Sequence, residues 1–180
     1  MVCVTALPYS RDVVIEMLLV SPLHRYEGRP ADGPLPSVGE ERRERIEIRA
    51  GLGVVGDRYF GGKAHVREAV TVMAAESLDA ITVELGLDEV PDATKTRRNI
   101  LVRGVDIDAM RGAEFSLDTG DGPVLFRAHR PANPCAWMNV TIADGAHKAL
   151  RRRGGMRCEP LTDGVLTLGA AVIRSSHPLD

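Results

Sequence analysis

The sequence predicts a mostly-β fold of the α+β class, a barrel or sandwich with short helical insertions. Short apolar runs and strictly alternating segments recur along the chain, and glycine, proline and aspartate separate them. Only two segments change to the helical period, and they do not alternate with the strands as a doubly wound parallel sheet requires. The 180 residues suffice for one domain, or for a domain with an appendage.

Three strands are predicted in the first half of the chain. Residues 13–20 are branched and apolar, residues 45–50 alternate strictly, and residues 69–73 form another short apolar run. Residues 24–39 are rich in proline and glycine and are predicted to form a long loop. Loops of this length are usually functional or mobile. Residues 1–12 are expected to be a loose tail.

Two helices are predicted in the rest of the chain. In residues 74–85 apolar side chains recur on one helical face, and Gly86 can end the helix in the left-handed conformation. A second, shorter helix is predicted over residues 144–153, with Asp144 as its cap and Gly154 as its end.

The remaining segments are predicted to be strands that complete the fold. Turn-forming residues at positions 118–122 and 163–164 indicate hairpins between consecutive strands. The predicted strands are residues 99–103, 114–117, 124–128, 157–161, 165–168 and 170–175. Together the elements from residue 13 to residue 180 are expected to form a single domain.

The composition argues against several classes of partner. Lys and Arg number 23 against 25 Asp and Glu, which gives a net charge of −2 and weakens the case for a nucleic-acid partner. No apolar run approaches the ~20 residues of a membrane helix. The N-terminus does not resemble a signal peptide, and three cysteines are too few for a disulfide scaffold. We therefore expect a cytoplasmic protein with no membrane partner.

A glycine-rich stretch at residues 51–56 matches the pattern G-x-G-x-x-G after a predicted strand. The dinucleotide-binding interpretation requires a helix to begin there, but two further glycines follow at once. Asp57 at the end of the stretch would also repel a phosphate unless Arg58 paired with it. We reject a dinucleotide site and predict a tight loop in which the Asp57–Arg58 pair fixes the loop or holds an anion.

Cys135 is the cysteine whose surroundings indicate chemistry. It follows a predicted strand, and Pro131 and Pro134 fix the direction of the chain before it. Positive residues close in sequence favour the thiolate, which is the nucleophile and the metal ligand. These residues are Arg127, His129 and Arg130. The alternative interpretation is a rigid loop that carries a cysteine by chance.

The other two cysteines are interpreted as inert. Cys158 lies inside a predicted strand, where a buried small apolar residue is expected, and Cys3 lies in the expected tail. No second Cys or His stands at zinc-finger spacing from Cys135, so a structural zinc site is not expected.

A basic run precedes the strand that begins near residue 99. Lys95, Arg97 and Arg98 lie together there, followed by Asn99. Three cations at the start of a strand can form a phosphate-type anion site, because the arginine fork matches phosphate oxygens. The alternative is a solvated cluster of charges, which is commoner for such runs.

Taken in order, these segments resemble the MOSC domain family, named for the C-terminal domain of molybdenum-cofactor sulfurase. The resemblance covers roughly residues 13–174. The segments that carry it are residues 53–58, 70–76, 97–100, 104–107 with Gly112, 133–135 with Asn139, and 164–169. Each motif is weak alone, but six in the family's order are strong. The resemblance implies a closed or partly closed β-barrel.

The resemblance also implies the functional residues. In the family, the cysteine that corresponds to Cys135 is the central catalytic residue and the ligand of molybdenum in members that bind molybdenum cofactor. The strand entry at Arg98 and Asn99 resembles the part that holds the pterin phosphate. The candidate cofactor-binding residues are Asp57, Arg58, Arg97, Arg98, Asn99, Asn133 and Asn139.

The chain departs from larger members of the family in two ways. The amidoxime-reducing proteins carry an extra N-terminal β domain that contacts the cofactor, whereas only about 40 residues precede Arg45 here. Arg25 and Arg29, in the long loop, would supply some of those contacts. Pyridoxal phosphate is associated with the family through a partner domain of the sulfurase, and no lysine here has a Schiff-base context. We expect no pyridoxal phosphate in this chain.

Two functions remain open at the level of sequence. The first is a molybdenum-cofactor oxidoreductase that reduces N-hydroxylated small molecules and takes electrons from a donor protein. The second is a sulfur carrier, in which Cys135 receives a persulfide from a cysteine desulfurase for metal–sulfur cofactor maturation. A cofactor-binding module without turnover is a third, less specific interpretation.

Overall fold

The computed structural model of the protein describes residues 6–179. Within this range the chain forms eleven strands. They are β1 (Tyr9–Leu19), β2 (Arg42–Arg43), β3 (Arg45–Arg49), β4 (Gly53–Val54), β5 (Val70–Ala74), β6 (Ile100–Arg103), β7 (Glu114–Asp118), β8 (Val124–Pro131), β9 (Met156–Pro160), β10 (Gly164–Thr167) and β11 (Gly169–Ser175). The α-helices are α1 (Glu76–Leu85), α2 (Trp137–Thr141) and α3 (Ala146–Ala149). Short 3-10 helices cover Pro30–Asp32, Lys63–Glu68, Ala93–Thr96 and Asp108–Met110.

Seven of the strands close into a barrel. Their order is β11-β7-β8-β9-β5-β6-β1, and β1 pairs with β11 to complete the circle. Strands β5 and β6 are parallel, and the other neighbours in the barrel are antiparallel. The strands β10, β3 and β4 form a separate small sheet, and β2 pairs with the end of β1. The barrel with short helices confirms the fold class expected from the sequence.

A bulge in β1 lets one strand serve two apolar clusters. Val13 and Ile15 point into the barrel, and the register with β6 shifts between Ile15 and Met17. A bulge inserts one residue and exchanges the two faces of the strand after it. Beyond the shift, Leu18 points into the barrel and Met17 joins a second cluster outside it.

The second apolar cluster lies between the barrel wall and the three helices. Leu78 and Ile81 of α1 and Trp137 and Met138 of α2 are buried there. Burying such side chains contributes roughly 1.5–3 kcal/mol each, which is what holds helices of only four or five residues in place. This packing positions the segment around Cys135, which lies just before α2.

The N-terminal strand is longer than predicted. β1 begins at Tyr9 rather than at residue 13, and residues 9–12 pair with β11. The expected tail of residues 1–12 is therefore wrong for its last four residues. They are polar and exposed, so no apolar pattern marks them, and the backbone of β11 supplies their hydrogen bonds. Cys3 lies outside the described residues.

The helix predictions are partly confirmed. α1 ends at Gly86, which has φ 63° in the left-handed region, as expected. The helix predicted over residues 144–153 is confined to α3, whose N-cap is Gly145 rather than Asp144. α2 was not predicted, because five residues carry too little periodicity to identify a helix. No helix within residues 6–179 has the length and apolarity needed to cross a membrane.

Candidate functional site

A cavity of about 210 Å³ opens beside Cys135. Its walls come from five parts of the chain: the loop after β1, the loop after β4, the turn before β6, the segment from the end of β8 into α2, and the start of β9. Five arginines line it, namely Arg25, Arg58, Arg97, Arg98 and Arg157. Segments that are distant in sequence therefore bring five guanidinium groups close to one thiol. We refer to this site as the Cys135 cavity.

Cys135 lies on the exposed rim of this cavity. Its carbonyl oxygen accepts a hydrogen bond of 3.0 Å from the Met138 amide at the start of α2. The apolar packing of Trp137 and Met138 thus fixes the backbone that carries the thiol. Cys158, by contrast, is fully buried in the barrel core, and burial raises the pKa of its thiol. The structure confirms the prediction that Cys158 is a buried small apolar residue.

Arg98 carries a positive charge that no carboxylate of the described chain neutralises by direct contact. Its Nε donates to the Gly154 carbonyl oxygen at 2.8 Å, and Nη2 donates to the carbonyl oxygen of Ala132. Burial, reinforced by the charge of Arg157, lowers the pKa of Arg98 to about 10. The guanidinium still remains protonated at neutral pH. A partly buried cation of this kind is suited to an anionic ligand.

Arg97 lies beside Arg98 in sequence but is neutralised within the chain. Its two terminal nitrogens donate to the two carboxylate oxygens of Glu41 at 2.7 and 2.9 Å. Ser21 and Arg25 also donate to this carboxylate. Burial acts to raise the pKa of Glu41, but the bonds from Arg97 and Ser21 and the two guanidinium charges outweigh it and lower the pKa to about 2.

The Asp57–Arg58 pair fixes its loop, which is the first of the two roles predicted for it. The Asp57 carboxylate is buried and accepts hydrogen bonds from the amide of Ser21 and from the side chain of Asn99, so it fixes the loop to neighbouring segments. Arg58 lines the cavity, with its guanidinium 4.8 Å from the centre of the Tyr59 ring. Its contact with Asp57 is long, at 3.4 Å.

Two consecutive glycines near Arg98 allow their segment to pack closely against the backbone of neighbouring segments. A Cβ at Gly154 would lie 2.2 Å from the Ala132 carbonyl oxygen, and one at Gly155 would lie 2.1 Å from the Val72 carbonyl oxygen. Gly155 also has φ 83°, in the left-handed region. A side chain at position 154 would displace the Ala132 carbonyl group, to which Arg98 donates, and one at position 155 would displace the backbone of β5.

An aromatic wall closes one side of the cavity. Tyr26, in the long loop after β1, stacks on Trp137 with ring centres 5.1 Å apart and planes 10° apart. Its hydroxyl donates to the Lys95 carbonyl oxygen at 2.6 Å. His24, in the same loop, packs edge-on against Tyr59 at 4.9 Å. Burial, together with the charge of Arg58, lowers the pKa of His24, so it is neutral at neutral pH.

Comparison with known proteins identifies the family. The family model for the MOSC domain matches residues 55–173, about two thirds of the chain. The chain belongs to the MOSC domain family. This family is generally associated with molybdenum cofactor. No curated protein matches the chain.

Solved structures share the fold of this MOSC domain at low sequence identity. The YuaD protein from Bacillus subtilis superposes with a TM-score of 0.71 and is 14% identical, covering 93% of this chain and 98% of its own. YiiM from Geobacillus stearothermophilus gives a TM-score of 0.60 at 15% identity over 90% and 74% of the two chains. YiiM from Escherichia coli gives 0.58 at 15% identity over 89% and 69%. At these identities the likeness shows the fold.

The predicted site residues of the MOSC domain divide into three groups. Those that line the cavity are Arg58, Arg97, Arg98, Asn133 and Cys135. Asp57 and Asn99 lie behind its wall, where Asn99 binds the backbone and hydroxyl of Thr71 at 2.9 Å. Asn139 does not line the cavity. It lies in α2, and its side-chain oxygen accepts from the His147 amide of α3 at 2.8 Å.

The positive residues nearest to Cys135 in sequence do not line its cavity. Arg127 pairs with Glu114, His129 with Glu159, and Arg130 with Glu68. Arg127 and His129 lie in β8 and bind acids of the adjacent strands β7 and β9, whereas Arg130 binds an acid at the end of the 3-10 helix Lys63–Glu68. The expectation that these three residues supply the charge around the thiol is therefore wrong. Other arginines supply it.

Sequence reasoning missed several residues that line or support the cavity. Alternation in β9 could have identified Arg157, because Cys158 points into the barrel and its neighbour must point out. Arg157 lines the cavity and binds Glu68 at 2.6 Å. No local signal marks Glu41 or Tyr26, since their partners lie far along the chain.

Proposed function

We propose that the protein binds a molybdenum cofactor of the molybdopterin type in the Cys135 cavity and reduces N-hydroxylated compounds there. The observation that carries the proposal is an exposed thiol beside the partly buried guanidinium of Arg98, which has no ion-pair partner within residues 6–179. A buried charge is costly unless an opposite charge compensates it. The anionic phosphate of a cofactor would supply that charge.

The donor groups of the cavity fit such a cofactor. A thiolate is a soft ligand of the kind that suits a soft metal centre, and arginine forks match phosphate oxygens. The cavity volume of about 210 Å³ is below the roughly 300–1,000 Å³ of typical ligand pockets. A molybdopterin would therefore fill the cavity and extend over its rim, where Asn133 and Cys135 are exposed.

Each residue would then have a distinct task. Cys135 would hold the metal through its sulfur, and Arg98 and Arg58 would bind the anionic end by charge-assisted hydrogen bonds. Tyr26 and Trp137 would exclude water from one side. The bound cofactor would supply the two-electron redox chemistry. Reduction of an N-hydroxylated compound takes up two electrons and two protons and releases water, so an electron-donor protein is the expected partner.

A second function is favoured by one observation, the exposure of Cys135. Transfer of sulfur between proteins needs an accessible thiol, so the protein would act as a sulfur carrier supplied by a cysteine desulfurase. In this function the Cys135 thiolate or persulfide would be the anion that acts on Arg98. It would leave unexplained the second arginine of the cavity, Arg58, whose contact with Asp57 is long. For that reason we prefer the cofactor-dependent reductase.

The deciding experiment is the molybdenum content of protein co-expressed with cofactor biosynthesis. Wild type, Cys135→Ser and Cys158→Ser would be compared by elemental mass spectrometry. Cys158→Ser is the matched control, because it removes the buried thiol and leaves the cavity intact. We expect close to one molybdenum per chain in wild type and in the control, and none in Cys135→Ser.

The other outcomes separate the remaining functions. If all three proteins lack molybdenum, the reductase proposal is wrong. An extra sulfur on Cys135 in protein from cofactor-deficient cells would then support the carrier. Molybdenum bound through Cys135 without reduction of N-hydroxylated compounds, when an electron donor is supplied, would indicate a cofactor-binding module without turnover.

A further inference from the structure

A second cavity of about 370 Å³ lies at the N-terminus of α1, and we call it the α1 cavity. It shares none of its lining residues with the Cys135 cavity. Unlike that cavity, it presents both signs of charge. The charged and polar residues that line it are Arg11, Glu76, Ser77, Asp106, Asp108 and Arg153.

One end of the α1 cavity is built to accept a carboxylate. The amides of Leu78 and Asp79 bond to the Ala75 carbonyl oxygen, whereas the first two helical amides, of Glu76 and Ser77, have no acceptor within the helix. Such amides and the helix dipole favour an anion.

Ser77 gives an independent indication of a ligand at this end. Its side chain is only 6% exposed and lines the cavity, yet its hydroxyl has no hydrogen-bond partner within residues 6–179. No fully buried side-chain polar atom of the described chain lacks a partner. The Ser77 hydroxyl must therefore reach solvent, and it does so through the cavity that it lines.

Arg11 adds a positive charge to the same cavity. Its guanidinium donates to two backbone carbonyl oxygens, of Gly104 and Leu179, and forms no ion pair with a described carboxylate. The second cation, Arg153, is bound to Glu84 at 2.9 Å. Arg11 is therefore the cation that remains available to a bound carboxylate.

Asp108 and Asp106 supply negative charge to the α1 cavity. One oxygen of Asp108 accepts from the Gly155 amide at 2.9 Å, and no arginine or lysine of the described chain pairs with this carboxylate. Asp106 accepts from the amides of Asp108 and Ala109. Burial, opposed by the bond from Gly155 and the charge of Arg98 and assisted by the charge of Asp106, raises the pKa of Asp108 to about 6. No cation of the described chain contacts this carboxylate directly, and an ammonium group in the cavity would do so.

A ligand with a single charge does not suit this cavity. A simple anion would be repelled by the carboxylates of Asp106 and Asp108, and a simple cation would be repelled by Arg11. The Glu76 carboxylate, by contrast, accepts a bond of 2.8 Å from the Gly104 amide and lies 3.9 Å from Arg103. No three His, Cys, Asp or Glu side chains within residues 6–179 converge to hold a metal ion. A molecule that carries both charges meets an opposite charge at each end.

We propose that the α1 cavity is a second small-molecule site that binds a zwitterion of the α-amino-acid type. The ligand's carboxylate lies at the α1 N-terminus against Ser77 and Arg11, and its ammonium group lies against Asp108. The cavity volume accommodates an amino acid with a small or medium side chain. The site does not depend on the proposed cofactor.

The test is a thermal-shift screen of the full chain with each standard amino acid at millimolar concentration, followed by calorimetric titration of the best one. Two analogues of that amino acid, one without the amine and one without the carboxylate, serve as ligand controls. Ser77→Ala and Asp108→Asn remove one contact at each end. Asp88→Asn, an exposed position outside the cavity, and Cys135→Ser, in the other cavity, are the matched controls.

We expect at least one amino acid to bind and both analogues to bind about tenfold more weakly or worse. Ser77→Ala and Asp108→Asn should each lose affinity, and Asp88→Asn and Cys135→Ser should keep it. The proposal is overturned if no amino acid binds, if the analogue without the amine binds equally well, or if both cavity variants bind like wild type. Because Cys135→Ser is among the controls, the result does not depend on whether the other cavity holds a cofactor.

Discussion

Arg97 and Arg98 are adjacent in sequence and line the same cavity, but their surroundings are opposite. Arg97 forms an ion pair with Glu41 through two hydrogen bonds, so its charge is neutralised within the protein. Arg98 donates only to backbone carbonyl oxygens, so its charge faces the cavity uncompensated. A basic run does not by itself indicate which of its cations binds a ligand. The position of the nearest carboxylate determines whether an arginine is neutralised within the protein or can bind a ligand.

The backbone reinforces this division of roles. Arg97 has φ 61°, a left-handed conformation that is uncommon for a residue with a side chain. Its side chain reaches Glu41, and its carbonyl oxygen accepts a bond of 3.3 Å from Arg58. Arg97 is therefore a positioning residue that holds Arg58 at the cavity. Arg98 is the residue from which we expect direct contact with an anion.

The largest effect should follow from Arg98→Met. This change removes the uncompensated charge and keeps much of the side-chain volume, so we expect molybdenum and pterin contents to fall about tenfold or more. The matched control is Arg130→Met, which is closer to Cys135 in sequence but pairs with Glu68 outside the cavity. Full cofactor content in Arg98→Met, or an equal loss in both variants, would contradict the assignment of Arg98 as the anion-binding arginine.

The next effect concerns the contribution of the Glu41–Arg97 ion pair to the stability of the fold. Glu41→Gln leaves the buried Arg97 charge without its counter-charge and should lower the free energy of unfolding by about 3 kcal/mol at pH 7. The pKa of Glu41 is lowered from 4.5 to about 2, so its contribution is present above pH 4.5 and is lost as the pH falls toward 2. Urea unfolding at several pH values should show that the difference between wild type and variant shrinks below pH 4.5.

The smallest effect should come from Asp108, a carboxylate in the opposite situation to Glu41. Because its pKa is raised from 3.8 to about 6, the stability that its protonated form supplies is lost as the pH rises through that range. Asp108→Asn keeps an acceptor for the Gly155 amide and should stabilise the protein at pH 7 by about 1–2 kcal/mol, given partial exposure. Urea unfolding at pH 7 and pH 4 checks this, and an equal gain at both values would contradict it.

The barrel could be predicted from sequence because its signals are local. Alternation in β3 and the apolar runs of β1 and β5 record which face of each strand is buried. The stop at Gly86 likewise depends on one residue's conformational freedom. The polar start of β1 and the short helix α2 could not be predicted. The first depends on backbone pairing with β11, and the second on packing of Trp137 and Met138.

The site could be predicted only in part. Cys135, Arg58 and Arg98 were identified because rigid loops and basic runs at strand ends are visible in the sequence. The separation of Arg98 from Arg97 was not visible, because Glu41 lies 56 residues away from Arg97. Asn139 was assigned to the cofactor, whereas its contact in the structure is the start of α3. Contacts between distant segments set these roles.

The most direct test of the proposed cofactor site is the reactivity of Cys135 itself. Iodoacetamide labelling, resolved by peptide mass spectrometry, would be compared in protein from cofactor-replete and cofactor-deficient cells. Cys158, which is buried, is the internal reference and should stay unlabelled in both. We predict that Cys135 is labelled in the cofactor-free protein and is protected in the loaded protein to the extent that molybdenum is bound. Equal labelling of Cys135 in both, with molybdenum present, would contradict its role as the ligand.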